Sequence, residues 1–169
     1  MSQARKLLIF GGIFLAALGM LYGLHYAVFV EHQTLDRMGG SLAGAFTHAA
    51  ERRVDDSHLA LISYRETKYD YVRQVDVHSH WIGLAMLMIV LGVVFDEAAF
   101  GERARSAIAL ALLIGSIVFP LGVSLQTSRL APQMAQLGSA LAIAGSALVI
   151  VALGATAVGF IKTDRGGVT

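Results

Sequence analysis

VHSHWIGLAMLMIVLGVVF, residues 77–95, holds no charged side chain. A helix needs about 20 apolar residues to cross a hydrocarbon core roughly 30 Å thick, and this run just reaches that length. Its two leading histidines must therefore sit at the headgroup boundary or inside the protein. Three longer runs share its lack of charge, at residues 7–30, 106–128 and 130–161. Together they predict an all-α integral membrane four-helix bundle, a single membrane domain over residues 1–169 with spans near 7–30, 77–95, 106–128 and 133–161. Composition agrees, since 56% of the residues are hydrophobic and only 15% charged. Soluble domains run at about 45–50% and 25%.

Arg5 and Lys6 precede the first run as they would in a signal peptide. The apolar stretch is about twice a signal's length, however, and aromatics stand where a small-residue cleavage site belongs. A retained helix is expected. The chain has no cysteine, hence no disulfide, thiolate metal site or redox motif. Net charge is +1 and no basic stripe with interleaved aromatics occurs, so nucleic-acid binding is not expected.

Short turns at 96–105 and around Arg129 and Pro132 make the last three spans antiparallel neighbours. The N-terminus, the 96–105 turn and the C-terminus share one side, with Arg5, Lys6, Arg103, Arg105, Lys162 and Arg165, whereas the opposite short turn has only Arg129. The positive-inside rule then puts both termini in the cytoplasm and the 31–76 connection outside, in a bacterial inner membrane. Within that connection, residues 41–53 and 57–77 have apolar residues at helical spacing. They predict one or two amphipathic helices on the membrane surface or capping the bundle. Gly39-Gly40 is expected to break the chain before them. Small residues recur in the first span (Gly12, Ala16, Gly19, Gly23) and the last (Gly138, Ala142, Gly145, Gly154), a spacing that lets helices approach closely in lipid. The expected partners are the lipid bilayer and either further copies of the chain or a larger membrane complex.

All six histidines (His25, His32, His48, His58, His78 and His80) fall between residues 25 and 80, on the predicted outer side. His25 lies five residues before Val30, about 7–8 Å inside the outer boundary, while His78 and His80 open the inward-running second span. Two oppositely directed helices thus bring imidazoles to similar depth, as a shared ligand site requires. On one helix His78 and His80 point about 200° apart, so one face offers only one of them. Tyr22, Tyr26, Trp81, Ser124, Gln126 and Thr127 lie near that level and could hydrogen-bond a ligating ring or a cofactor's polar groups. Tyr, Trp and His also form the ordinary interfacial belt of membrane proteins. His32, His48 and His58 read as solvated surface residues.

Polar groups within a membrane are expensive and usually functional or paired. Haem b fits axial histidine and an apolar slot. Leu18, Leu21, Phe14 and Phe29 of the first span and Ile82, Ala85, Met86 and Ile89 of the second offer candidate walls. Copper is the rival metal, though Met86 and Met88 lie deeper than the histidines. Zinc would want a carboxylate such as Asp76. Arg65 and Lys68 are candidates for pairing haem propionates or lipid phosphates. Spans 3 and 4 hold no ionisable residue, which argues against a proton pump.

The segment His78-Ser-His-Trp-Ile-Gly83 resembles the haem-ligating helix of the haem-copper oxidase catalytic subunit and of small four-helix relatives. Those relatives carry an Arg-Glu-x-Thr-Lys-like segment upstream, similar to Arg65-Glu66-Thr67-Lys68 here. Size and plan are also similar to styrene oxide isomerase, a haem b membrane enzyme in which a His-Ser pair, like His78-Ser79, opens the second helix. The resemblance implies a haem ligand at His78. The expectation is a haem b-binding membrane protein with His25 and one of His78 or His80 as axial ligands. It would be either a small cytochrome b-like subunit or a Lewis-acid enzyme on a small apolar substrate such as an epoxide. A non-catalytic accessory subunit and a periplasmic-side copper-binding protein are the alternatives.

Overall fold

The computed structural model describes residues 1–127 and 132–166, apart from the side chains of 132 and 163–166. Arg129 and the side chain of Arg165 lie outside the described residues. Five helices follow one another: α1 (Gln3–Phe29), α2 (Glu31–Ala50), α3 (Val54–Val94), α4 (Glu102–Gln126) and α5 (Pro132–Gly166). No strand occurs among the described residues. Four helices are long and apolar enough to cross a membrane, at Gln3–Phe29, Val54–Glu97, Glu102–Gln126 and Gln133–Lys162. The chain is an all-α multi-pass membrane protein. By its contacts it divides into two units, residues 1–20 with 77–169, and residues 21–76.

The first unit is assembled through glycine. On α1, Ala4, Leu8 and Leu15 are buried four and seven residues apart, on the same stripe as Gly12 and Gly19. A Cβ on Gly12 would lie 2.7 Å from Ile89 and 2.8 Å from the Ala85 carbonyl, and one on Gly92 of α3 would lie 2.7 Å from Ile9. The α1–α3 seam therefore closes to backbone contact. The α4–α5 seam does the same: a Cβ on Gly115 would meet Val149 at 2.7 Å, and one on Gly145 would meet Phe119 N at 2.5 Å. In lipid, apolar burial gives no preference for helix over solvent, and close backbone approach supplies the attraction instead. The small-residue pattern is thus resolved into partners. Gly12 and Gly19 face α3, Gly138 and Gly145 face α4, and Gly154 faces open space.

Polar contacts close the end of this unit opposite the histidines. The Ser2 hydroxyl accepts the Arg5 N–H at 3.1 Å as a cap for α1, and itself donates to Asp96. Arg5 stands 3.7 Å from the same carboxylate. Arg105 donates twice to the Ala98 carbonyl, at 3.2 and 2.8 Å. Phe95, in the 3-10 turn Phe95–Glu97, is fully buried. In α4, Pro120 has no N–H to give the Ser116 carbonyl. Membrane helices tolerate such a gap where neighbouring groups re-satisfy the backbone.

The second unit holds the end of α1, all of α2 and the first part of α3. Two expectations need correction here. Gly39-Gly40 does not break the chain, because α2 runs through both, and each faces open space. Helical glycine costs only about 0.5–1 kcal/mol against alanine, and α2 is held on either side of the pair by buried Thr34 and Ala45. Nor does residue 77 open a new helix. α3 begins at Val54 and continues for 41 residues, since no glycine or proline stands between residues 45 and 82 to end it. Residues 51–53 make the one turn of this unit beyond Val30, with Arg52 at φ 60°. Hydrogen bonds join α2 to α3, where Ser57 Oγ donates to the Ala45 carbonyl at 2.9 Å and Ser41 meets Ser63 at 3.3 Å.

Candidate functional site

Within the first unit α3 carries both His78 and His80, two residues apart and therefore about 200° apart around the axis. They reach different helices. His78 turns to α1, where its Nδ1 lies 2.9 Å from the carbonyl oxygen of Gly19. A carbonyl only accepts, so Nδ1 carries the proton and donates. The lone pair of the neutral ring is then on Nε2. His80 turns to α4, and its ring lies 4.5 Å from that of Phe119, tilted by 38°. Both rings are half-buried.

Trp81 is buried on the α1 side of α3, its Cβ 2.9 Å from where a Cβ on Gly19 would stand. Farther along α4, the Thr127 hydroxyl donates to the Ser124 carbonyl at 2.9 Å. The Ser116 hydroxyl is buried and has no hydrogen-bond partner among the described residues.

Four of the eight residues expected to wall an apolar slot between the first two spans face away from the protein. Phe14, Leu21, Phe29 and Met86 are 60%, 64%, 65% and 55% exposed and point outward. Between α1 and α3 the helices approach to backbone contact at Gly12 and Gly19. Apolar residues in a membrane helix serve lipid as readily as core, so their identity gave no direction. What does fit haem is the donor itself, a half-buried imidazole whose other nitrogen is engaged by a backbone carbonyl, the usual arrangement of metal-ligating histidine.

In the second unit, His25 is exposed on α1 and its ring lies 5.5 Å from Phe29. The tyrosines expected around a cofactor have protein partners here. Tyr22 hydrogen-bonds Gln74, and the buried Tyr26 packs against Tyr71 with ring centroids 6.3 Å apart. Tyr71, absent from the sequence expectation, donates to Glu31 at 3.3 Å. Arg65 and Lys68 are exposed, with Lys68 Nζ 5.9 Å from the Tyr64 ring centroid. His32 and His58 are exposed, the former 3.4 Å from Asp36. His48 is only half-exposed, its Nδ1 2.6 Å from the Arg53 guanidinium.

Among the described residues no three His, Cys, Asp or Glu side chains stand close enough to hold a metal ion. Asp76, the carboxylate weighed for zinc, stands 3.7 Å from Arg73. A site built wholly from protein donors needs three or four, whereas a porphyrin brings four nitrogens and asks the protein for one or two. No family model, no curated protein and no solved structure matches the chain.

Proposed function

We propose that this chain is a haem b-binding protein of a bacterial inner membrane, with both termini cytoplasmic and His78 as an axial ligand. The observation that carries the reading is the Nδ1–H donation from His78 to the Gly19 carbonyl, which leaves Nε2 as the ligating nitrogen. Haem is preferred over copper and zinc because it needs so few protein donors, and no cluster of three is available among the described residues. The basic side chains near the termini and the 96–105 turn support the orientation.

Bound haem iron would supply one-electron transfer with two protein ligands, or Lewis acidity towards a small oxygen-bearing molecule with one. The protein's own share of that chemistry is limited and definite. The α1–α3 seam orients the His78 ring, and the Gly19 carbonyl holds its proton on Nδ1. With only His78 so prepared, an iron with one position left for a small molecule is the preferred case.

The test is to purify the protein in detergent and record its visible spectrum. A haem b spectrum of high-spin ferric type is expected, and sharp low-spin bands that broaden in His25→Ala would point to a second imidazole instead. A colourless protein that stays colourless after haem is added rules the reading out.

One observation favours a second reading, an accessory subunit of a larger membrane complex. Phe46 of α2 and Val54 and Leu59 at the start of α3 are 69%, 73% and 63% exposed, which suits contact with another chain. Copurification of a larger subunit with a colourless protein would select it.

A further inference from the structure

The His78 tautomer depends on how near α1 comes to α3, and that depends on one missing side chain. We infer that Gly19 is a positioning residue for His78: lacking a Cβ, it lets its own carbonyl reach Nδ1 and fix Nε2 as the ligating nitrogen. The consequence at iron rests on the haem reading, whereas the tautomer itself does not.

The geometry gives little latitude. A Cβ at position 19 would stand 2.9 Å from both the Ile82 Cδ1 and the Trp81 Cβ. The first is the tip of a flexible side chain and can turn aside. The second is fixed to the α3 backbone and cannot, so alanine must push the helices apart or rotate them. The His78–Gly19 bond is 2.9 Å long, and hydrogen bonds of this kind fail beyond about 3.5 Å. A separation well under one ångström is therefore enough to lose it. The Gly19 carbonyl has a second lone pair for its helical partner, so accepting from His78 does not break α1.

His80 supplies the contrast. Its ring lies against Phe119, and no backbone carbonyl of the described residues selects one of its nitrogens. Of two histidines two residues apart, only the one beside a glycine has its proton assigned. A carbonyl on Nδ1 also makes the ring a stronger donor through Nε2, which favours ferric over ferrous iron.

The experiment reads the tautomer directly, by nitrogen-15 NMR of histidine-labelled, haem-free protein above the imidazole titration range, with His78 assigned from His78→Gln. The expected spectrum has a protonated-type Nδ1 and a pyridine-type Nε2 at His78. Gly19→Ala should convert it to the opposite tautomer or an exchanging mixture. Gly83→Ala, on α3 like His78 but with nothing within 4 Å of its added Cβ, should leave it unchanged. Should Gly19→Ala fail to fold, Gly19→Ala with Ile82→Ala removes the flexible clash while keeping the one at Trp81, and is read in the same way. In haem-loaded protein the midpoint potential should rise in Gly19→Ala. A wild-type Nε2–H tautomer, an unchanged signal in Gly19→Ala, or equal changes in both glycine variants would overturn the inference. A chain that binds no haem overturns the functional reading alone, because the NMR comparison stands without it.

Discussion

Close helix contacts through glycine are a feature of the first unit and not of Gly39, Gly40 and Gly44 in the second. In the first unit, Gly12, Gly19, Gly115, Gly122, Gly138 and Gly145 each stand where a Cβ would strike a neighbouring helix. In the second unit, Gly39, Gly40 and Gly44 all face open space. Contacts there come from side chains with polar ends, such as Tyr22 with Gln74, Tyr71 with Glu31 and Ser57 with the Ala45 carbonyl. The difference follows from the solvent. Helices in lipid gain nothing by hiding apolar side chains from other apolar groups, so they associate through close fit. In the second unit hydrogen bonds and partial apolar burial do that work, and a glycine without a neighbour is simply a weak point in its helix.

The contrast breaks most sharply at Gly122. A Cβ there would meet the Gly138 carbonyl at 2.7 Å, a backbone atom that no rotamer change removes. Gly122→Ala is expected to cost about 1–3 kcal/mol or more, as overpacking does, read as a lower midpoint in detergent unfolding. An unchanged midpoint would mean that α4 and α5 do not meet through glycine. In the second unit, Ser57→Ala removes the bond to Ala45 and should cost about 0.5–1.5 kcal/mol. Gly40→Ala should act with the opposite sign and stabilise by about 0.5–1 kcal/mol. A loss at Gly40 would show that something covers that face. The smallest effect is expected at Asp96→Asn, which weakens the contacts to Ser2 and Arg5. Faster amide exchange at residues 3–6, without loss of the fold, is the sign to look for.

These cases also mark how far the sequence could be read. The four spans were legible because a charge inside a membrane is so costly that its absence over 19 or more residues has little other explanation. The outer connection was not. Glu66, Lys68, Asp70, Arg73 and Asp76 end the hydropathy signal without ending the helix, so one 41-residue α3 looks like a loop joined to a span. Gly39-Gly40 misled for a related reason, since its local cost is small beside the burial of Thr34 and Ala45.

At the candidate site, the divergence of His78 and His80 could be read from helix geometry alone. Their partners could not, because the register of α3 against α1 and α4 is decided by which glycines meet which side chains. Phe14, Leu21, Phe29 and Met86 were misjudged as slot walls because an apolar residue in a membrane helix carries no direction. Tyr22 and Tyr26, expected around a cofactor, meet Gln74 and the Tyr71 ring within the second unit.

The most direct test of the account is the haem content of purified His78→Gln and His80→Gln, measured side by side with wild type by the pyridine haemochrome method. The account predicts haem in wild type and in His80→Gln, and its loss from His78→Gln while the helical content is unchanged. Haem retained at the wild-type level in His78→Gln, or lost only from His80→Gln, would contradict it.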